Sequence, residues 1–179
     1  MRFEKVSLKQ FEQSLKKYYT SIGFDDNQYD YKSFENSVKK DYDNIILPKR
    51  STKGSAGYDF YIPFGVHIRV GESQLIPTGI RCVDMPENIV LKIYPRSGLG
   101  AKKGLVLRNT VGIIDSDYAQ SDNEGHIMIK LVNYGYEPVV LTKGTAFCQG
   151  IFSQYFTVDD DNVEKERNGG FGSTDKEKK

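Results

Sequence analysis

Apolar residues recur at Leu8, Phe11, Leu15 and Tyr18, the three-to-four spacing of one helix face, within residues 7–19. Ser7 and Gln10 are spaced as a capping box and Val6 is placed to staple onto Phe11, so the stretch predicts a short amphipathic helix. A polar, Tyr-rich stretch over residues 25–43 follows, where Phe34 and Val38 predict one or two further helical turns. From Ile45 the pattern changes. Short apolar runs at 45–47, 58–62, 66–70, 80–84 and 89–94 are separated by Gly and Pro, and the spacing continues at 105–107, 111–114, 127–132, 139–141 and 147–152. Many short strands with turn residues and no intervening helices predict an all-β fold that closes its edges by the jelly-roll route. After Phe156 the chain turns polar, then Gly-rich from Gly169 to Gly172, and such a tail cannot bury enough surface to fold alone. The expected organisation is a partly helical N-terminal extension at 1–42, a β-fold domain at 43–158 and a flexible C-terminal arm at 159–179.

Composition narrows the class of partner. A chain of 179 residues suits one domain with a sizeable core. Its 25 Lys and Arg against 24 Asp and Glu give no field that draws it onto nucleic acid or an anionic membrane, so any phosphate binding is local. Cys82 and Cys148 lack metal-ligand spacing and stand in apolar runs, which reads as free buried thiols. The first twenty residues alternate charged with single apolar positions, and no 18 consecutive residues are apolar, so a cytoplasmic protein is expected.

Four segments concentrate residue types that a plain β-sandwich does not need. Pro95-Arg96-Ser97-Gly98 offers a planar bidentate cation, a hydroxyl and a pliable backbone, which suits phosphate oxygens, or else forms a surface turn. Residues 108–118 join an apolar strand to Asp115, Asp117 and Tyr118; a carboxylate at a strand end can serve as a base for water and an aromatic face can carry a sugar, though the same composition makes an ordinary turn. Gln149 interrupts an otherwise apolar strand, and a buried amide needs a backbone, ligand or water partner. Residues 167–174 combine Arg167, three glycines, Phe171, Ser173 and Thr174, the makings of an anion-cradling loop that lacks the strand-to-helix context of a P-loop.

Together with Ser55-Ala56-Gly57-Tyr58-Asp59-Phe60, these segments resemble, in order, the five motifs of the trimeric dUTPase family, over roughly residues 45–174. The resemblance implies a jelly-roll β-fold assembled as a homotrimer, each site lined by more than one subunit, that hydrolyses dUTP to dUMP and pyrophosphate with Mg2+ and so limits uracil incorporation into DNA. It implies that Asp115 is the base that deprotonates the attacking water, and that Tyr118 lies against the deoxyribose and excludes a 2′-hydroxyl. Asn109, the main chain from Gly112 to Ile114 and the main chain around Met128 would read uracil. Arg96, Ser97 and Gly98 would hold phosphates across the subunit boundary, with Gln149 near the α-phosphate and the water. Arg167 would bind the γ-phosphate, Phe171 would cover the uracil, and Gly172, Ser173 and Thr174 would donate to the triphosphate. Asp59 would act on magnesium through water. Direct nucleic-acid or membrane binding is not expected.

The chain departs from the family pattern at Ala146, where many relatives carry Arg, and in the lengthened hairpin at 119–125. That hairpin or the N-terminal extension could contact a protein partner. Two other readings share the motifs: a dCTP deaminase-like enzyme, and a dUTP-responsive regulatory binding protein.

Overall fold

The computed structural model describes residues 1–24, 30–163 and 167. Strand β1 (Arg2–Lys5) leads into helix α1 (Leu8–Ser21), followed by α2 (Tyr31–Asp43). Then come β2 (Lys49–Arg50), β3 (Tyr58–Tyr61), β4 (Val66–Ile68), β5 (Ser73–Pro77), β6 (Ile80–Val83) and β7 (Ile89–Pro95). Helix α3 (Ser97–Lys103) precedes β8 (Leu105–Leu107), β9 (Gly112–Ile114) and a 3-10 turn (Ser116–Gln120). Strands β10 (Met128–Asn133), β11 (Val139–Leu141) and β12 (Ala146–Gln154) complete the order.

The strands form a five-stranded sheet in the order β2-β3-β12-β7-β9, a three-stranded sheet β5-β10-β8, and two pairs, β11-β4 and β1-β6. All pairings are antiparallel, and the architecture is the jelly-roll-like β fold that the run spacing predicts. Inward positions alternate along the strands, with Phe60, Ile76, Leu91, Ile93, Leu131 and Phe147 at most 2 % exposed. Cys82 and Cys148 are buried free thiols, and burial raises both above the usual thiol range, Cys82 to about 11. No described helix is long and apolar enough to cross a membrane.

Several elements differ from the expectation. No strand forms at residues 45–47; Ile45 turns inward against Phe11 and Gly79, Ile46 and Leu47 stay exposed, and pairing begins after Pro48, which has no N–H to offer. The 95–98 segment runs into a helix that opens at Ser97 rather than forming a simple turn: the Arg96 carbonyl accepts from Leu99 and Gly100 at 3.0 Å, and Gly104 ends the helix at a φ of 65°. The one or two turns expected near Phe34 and Val38 extend into the full α2, capped by Asp30. Strands β1 and β5 have no counterpart among the predicted runs.

The N-terminal extension shares the core. The Ser7 hydroxyl accepts from Gln10 N–H at 3.1 Å, which starts α1 where the capping pattern places it. Val6, Phe11, Leu15, Tyr18 and Val38 are all buried in the cluster that contains Ile76, Leu105 and Ile127. Phe11, at 0 % exposure, stacks near Tyr42 and His126. Phe11→Ala should therefore cost about 3–5 kcal/mol of unfolding free energy, read from denaturant melts at fixed protein concentration. A loss below about 1 kcal/mol would show that α1 is not part of the core.

Candidate active site

The register of β12 brings three of the sequence segments together. Gln149 stands opposite Asp59 on β3 and Tyr94 on β7, while its neighbour Cys148 stands opposite Pro95. Alternation points Gln149 away from the face on which Cys148 is fully buried. Gly57 makes the space: a Cβ there would sit 3.2 Å from Gln149 Cβ and collide with its Oε1. Asp59 is buried, accepts from the Ser51 hydroxyl at 2.6 Å and pairs with Arg96 Nε at 3.3 Å, so its carboxylate is satisfied and held in one orientation. Gln149 Nε2 reaches the Pro95 carbonyl only at 3.5 Å, the limit of a hydrogen bond, and can turn to a closer partner. Ser97 and Gly98 open α3, where the first N–H groups of a helix have no acceptor within it.

A second group gathers around β9. A narrow cleft between the two larger sheets is lined by Asn109, Gly112, Ile114 and Met128, backed by Ile93, Leu107 and Ile129. A Cβ at Gly112 would press to 3.1 Å from Ile93 Cβ, so the backbone lies close to the neighbouring strand. Asn109 Nδ2 donates to the Val111 carbonyl at 3.2 Å across a turn in which Thr110 is held at a φ of 68°, a strained setting for a β-branched residue.

Asp115 follows β9 directly, and the 3-10 turn then carries Asp117 and the buried Tyr118. The Tyr118 hydroxyl donates to the His126 carbonyl at 3.0 Å and accepts from Asn123 Nδ2 at 3.0 Å; burial raises its pKa above the usual phenol value. Arg167 bonds both carboxylates, Asp117 at 2.9 Å and Asp115 more closely, with its guanidinium 5.9 Å from the Tyr118 ring centre. Phe171, Gly172, Ser173 and Thr174 lie outside the described residues.

Asp115 and Arg96 stand at opposite ends of β7. Leu91, near the start of β7, pairs with Ile114, whereas Arg96 follows the far end of that strand. At ~3.3 Å per residue this separates Asp115 from Arg96 by roughly 20 Å along the sheet.

Ser51, Asp117, Asn123 and His126 hold the expected site residues, and only Asp117, inside the Asp-Ser-Asp-Tyr run, had a local cue. Among the described residues no three His, Cys, Asp or Glu side chains cluster to hold a metal. The Asp59 carboxylate is engaged by Ser51 and Arg96.

Residues 43–175 match the family model for dUTPase. The chain is 47 % identical over 146 residues to the deoxyuridine 5'-triphosphate nucleotidohydrolase of Lactococcus lactis, covering 80 % of this chain and 97 % of that protein. It is 42 % identical over 138 residues to the enzyme of the same name from Finegoldia magna, covering 73 % and 92 %. The crystal structure of dUTPase from Streptococcus mutans superposes with a TM-score of 0.59 at 41 % identity, over 63 % of this chain and 88 % of that one.

His126 gives the site a pH signature. It is fully buried; Nε2 accepts from Gly79 N–H at 2.8 Å, so Nδ1 carries the proton and donates to Ser14 Oγ at 3.0 Å. Burial pushes the imidazole down to about 4, with Glu124 opposing weakly. An unfolded His titrates near its ordinary value of about 6.5, so the unfolded chain takes up this proton first as pH falls. Its contribution to stability is complete above that value and is lost between about pH 6.5 and 4, amounting to about 2–3 kcal/mol by pH 4.5. His126→Gln should remove this part of the pH dependence when denaturant melts at pH 7 and 4.5 are compared. Identical pH slopes in parent and variant would contradict it.

Proposed function

The chain belongs to the dUTPase family, and from that premise we propose that it hydrolyses dUTP to dUMP and pyrophosphate, with Asp115 as the general base. The observation that carries this reading is the cleft of Asn109, Gly112, Ile114 and Met128, with Asp115 next in the chain after Ile114 and the buried Tyr118 in the turn that follows. A planar pyrimidine edge fits hydrogen-bonding main chain in a cleft this narrow, and the Tyr118 ring then faces the sugar. Relatives at this identity are named for dUTP, and nothing favours the deaminase or the regulatory reading over hydrolysis.

Phosphoryl hydrolysis depends mostly on positioning and on neutralising charge. Arg96, with the opening residues Ser97 and Gly98 of α3, is the phosphate-holding group, and Gln149 beside Asp59 faces the α-phosphate and the attacking water. Asp59 would hold a magnesium ion through water, and the ion would supply further charge neutralisation. Arg167 pairs with Asp115 and Asp117. A γ-phosphate competes for that cation, and its transfer leaves Asp115 able to accept the proton of water. Phe171, Gly172, Ser173 and Thr174 complete the closure in this reading, as the arm at 159–179 folds over the nucleotide.

The roughly 20 Å between the backbones of Asp115 and Arg96 supports a site shared between subunits, because within a chain it sets the phosphate-holding group far from the base. A closed homotrimer meets that requirement with identical sites. Buried free thiols suit a reducing compartment, and we place the protein in the cytoplasm. We assign residues 1–42 to an extension and 43–158 to the catalytic fold.

The test is incubation with each deoxynucleoside triphosphate and magnesium, measuring pyrophosphate. dUTP alone should turn over rapidly. Asp115→Asn should lose on the order of 100 to 10,000-fold in kcat while still binding dUTP, because the amide keeps the shape but cannot take the proton. A variant retaining more than about half the parent rate would remove Asp115 from the role of base.

A further inference from the structure

Residues 1–42 lie outside the stretch that matches the family model, yet α1 is bonded to the lengthened hairpin beside the site. Both carboxylate oxygens of Glu124 are used at the start of the helix: Ser7 N–H donates to one at 2.7 Å and the Ser7 hydroxyl to the other at 2.6 Å. Glu124 holds a φ of 59° to do this, an uncommon setting for a residue with a side chain. The next residue, Gly125, has no room for a Cβ, which would sit 2.6 Å from Ala119 Cα. Two turns further along α1, the Ser14 hydroxyl accepts from His126 Nδ1–H at 3.0 Å, while Gly79 N–H donates to the other ring nitrogen at 2.8 Å.

These contacts end on the sugar-facing ring. The carbonyl of the same His126 accepts from the Tyr118 hydroxyl, and Asn123 Nδ2 spans that hydroxyl at 3.0 Å and the carbonyl at 3.3 Å. A hairpin of this length is not stiff by itself. Its fixed points are Glu124 on the helix cap and His126 wedged between α1 and the turn at Gly79.

We propose that α1 is a specificity brace: through Ser7–Glu124 and Ser14–His126 it holds the Tyr118 ring in the position that excludes a 2′-hydroxyl. Glu124, Ser14 and His126 are then positioning residues that act through Tyr118 and touch no substrate. The inference rests on the reading that Tyr118 faces the deoxyribose of dUTP. It also gives the hairpin and the extension a partner in each other, within the same chain.

The experiment compares kcat/KM for dUTP and UTP in the full-length parent, Glu124→Ala and Ser14→Ala, and in both substitutions made on a Tyr118→Ala background. Each brace variant should lower the dUTP-to-UTP ratio at least about tenfold, mainly by raising the UTP value. Its kcat for dUTP should stay within about threefold of the parent. On the Tyr118→Ala background, which has already lost the ring, neither substitution should move the ratio further. Glu124→Gln, which keeps an acceptor for Ser7, should recover part of the discrimination. Glu124 lies at the surface of the contact, so its variant tests the brace even if Ser14→Ala fails to fold. An unchanged ratio in folded Glu124→Ala, or an equal fall with and without Tyr118, would overturn the brace and leave the proposed function standing. A parent that hydrolyses dUTP and UTP alike would instead overturn the role of Tyr118, and the brace with it.

Discussion

The register of β12 between β3 and β7 is the constraint on which the rest of this structure depends. Cys148 fills the core while Gln149 faces away from it, and a slip of one residue would exchange them and bury the amide. Two glycines lock that register: Gly57 beneath Gln149, and Gly150, where a Cβ would meet Leu91 at 2.8 Å and Phe60 at 2.9 Å. The bulge between Ala146 and Cys148 lets Phe147 into the core without disturbing the pairing on the other edge. With β12 set, Asp59, Gln149 and Arg96 share one neighbourhood. The same sheet holds β9, and hence Asp115, against the opposite end of β7. The ladder thus sets Asp115 and Arg96 at opposite ends of β7, which is the basis of the proposal that subunits share the site.

The extension enters this account as part of the fold. Its apolar face shares the core with the sheets, and its polar contacts reach the hairpin next to Tyr118. Position along the sequence is a poor guide to such a role, because the contacts that define it, Ser7 with Glu124 and Ser14 with His126, span 117 and 112 residues.

What was legible in the sequence was local. Strand runs at 105–107 and 139–141 coincide with β8 and β11, because each is a short apolar run bounded by turn residues. The cap at Ser7 was equally readable, since Ser at that position satisfies a free N–H of the first turn. Strand β1 was not, because Arg-Phe-Glu-Lys has little apolar content; it is held by pairing with β6 and by Phe3 packing on Tyr58, Phe60 and Phe152. Helix α3 carries two glycines and reads as a turn; the Arg96 carbonyl and the Gly104 cap support it. Among the site residues, Asp115, Tyr118, Asp59 and Arg96 stand in short motifs. Ser51 and His126 matter through distant or bland neighbours, and their roles emerge only from the folded contacts.

Subunit complementation tests the shared site most directly. Arg96→Ala and Asp115→Asn are each expected to be nearly inactive on dUTP, and the two are then co-expressed with different tags so that mixed oligomers can be isolated. If Arg96 and Asp115 reach one nucleotide from different chains, about a quarter of the sites in an equal mixture carry both native residues, and that fraction of parent activity should return. Mixed oligomers of confirmed composition with no more activity than either variant alone would contradict the account.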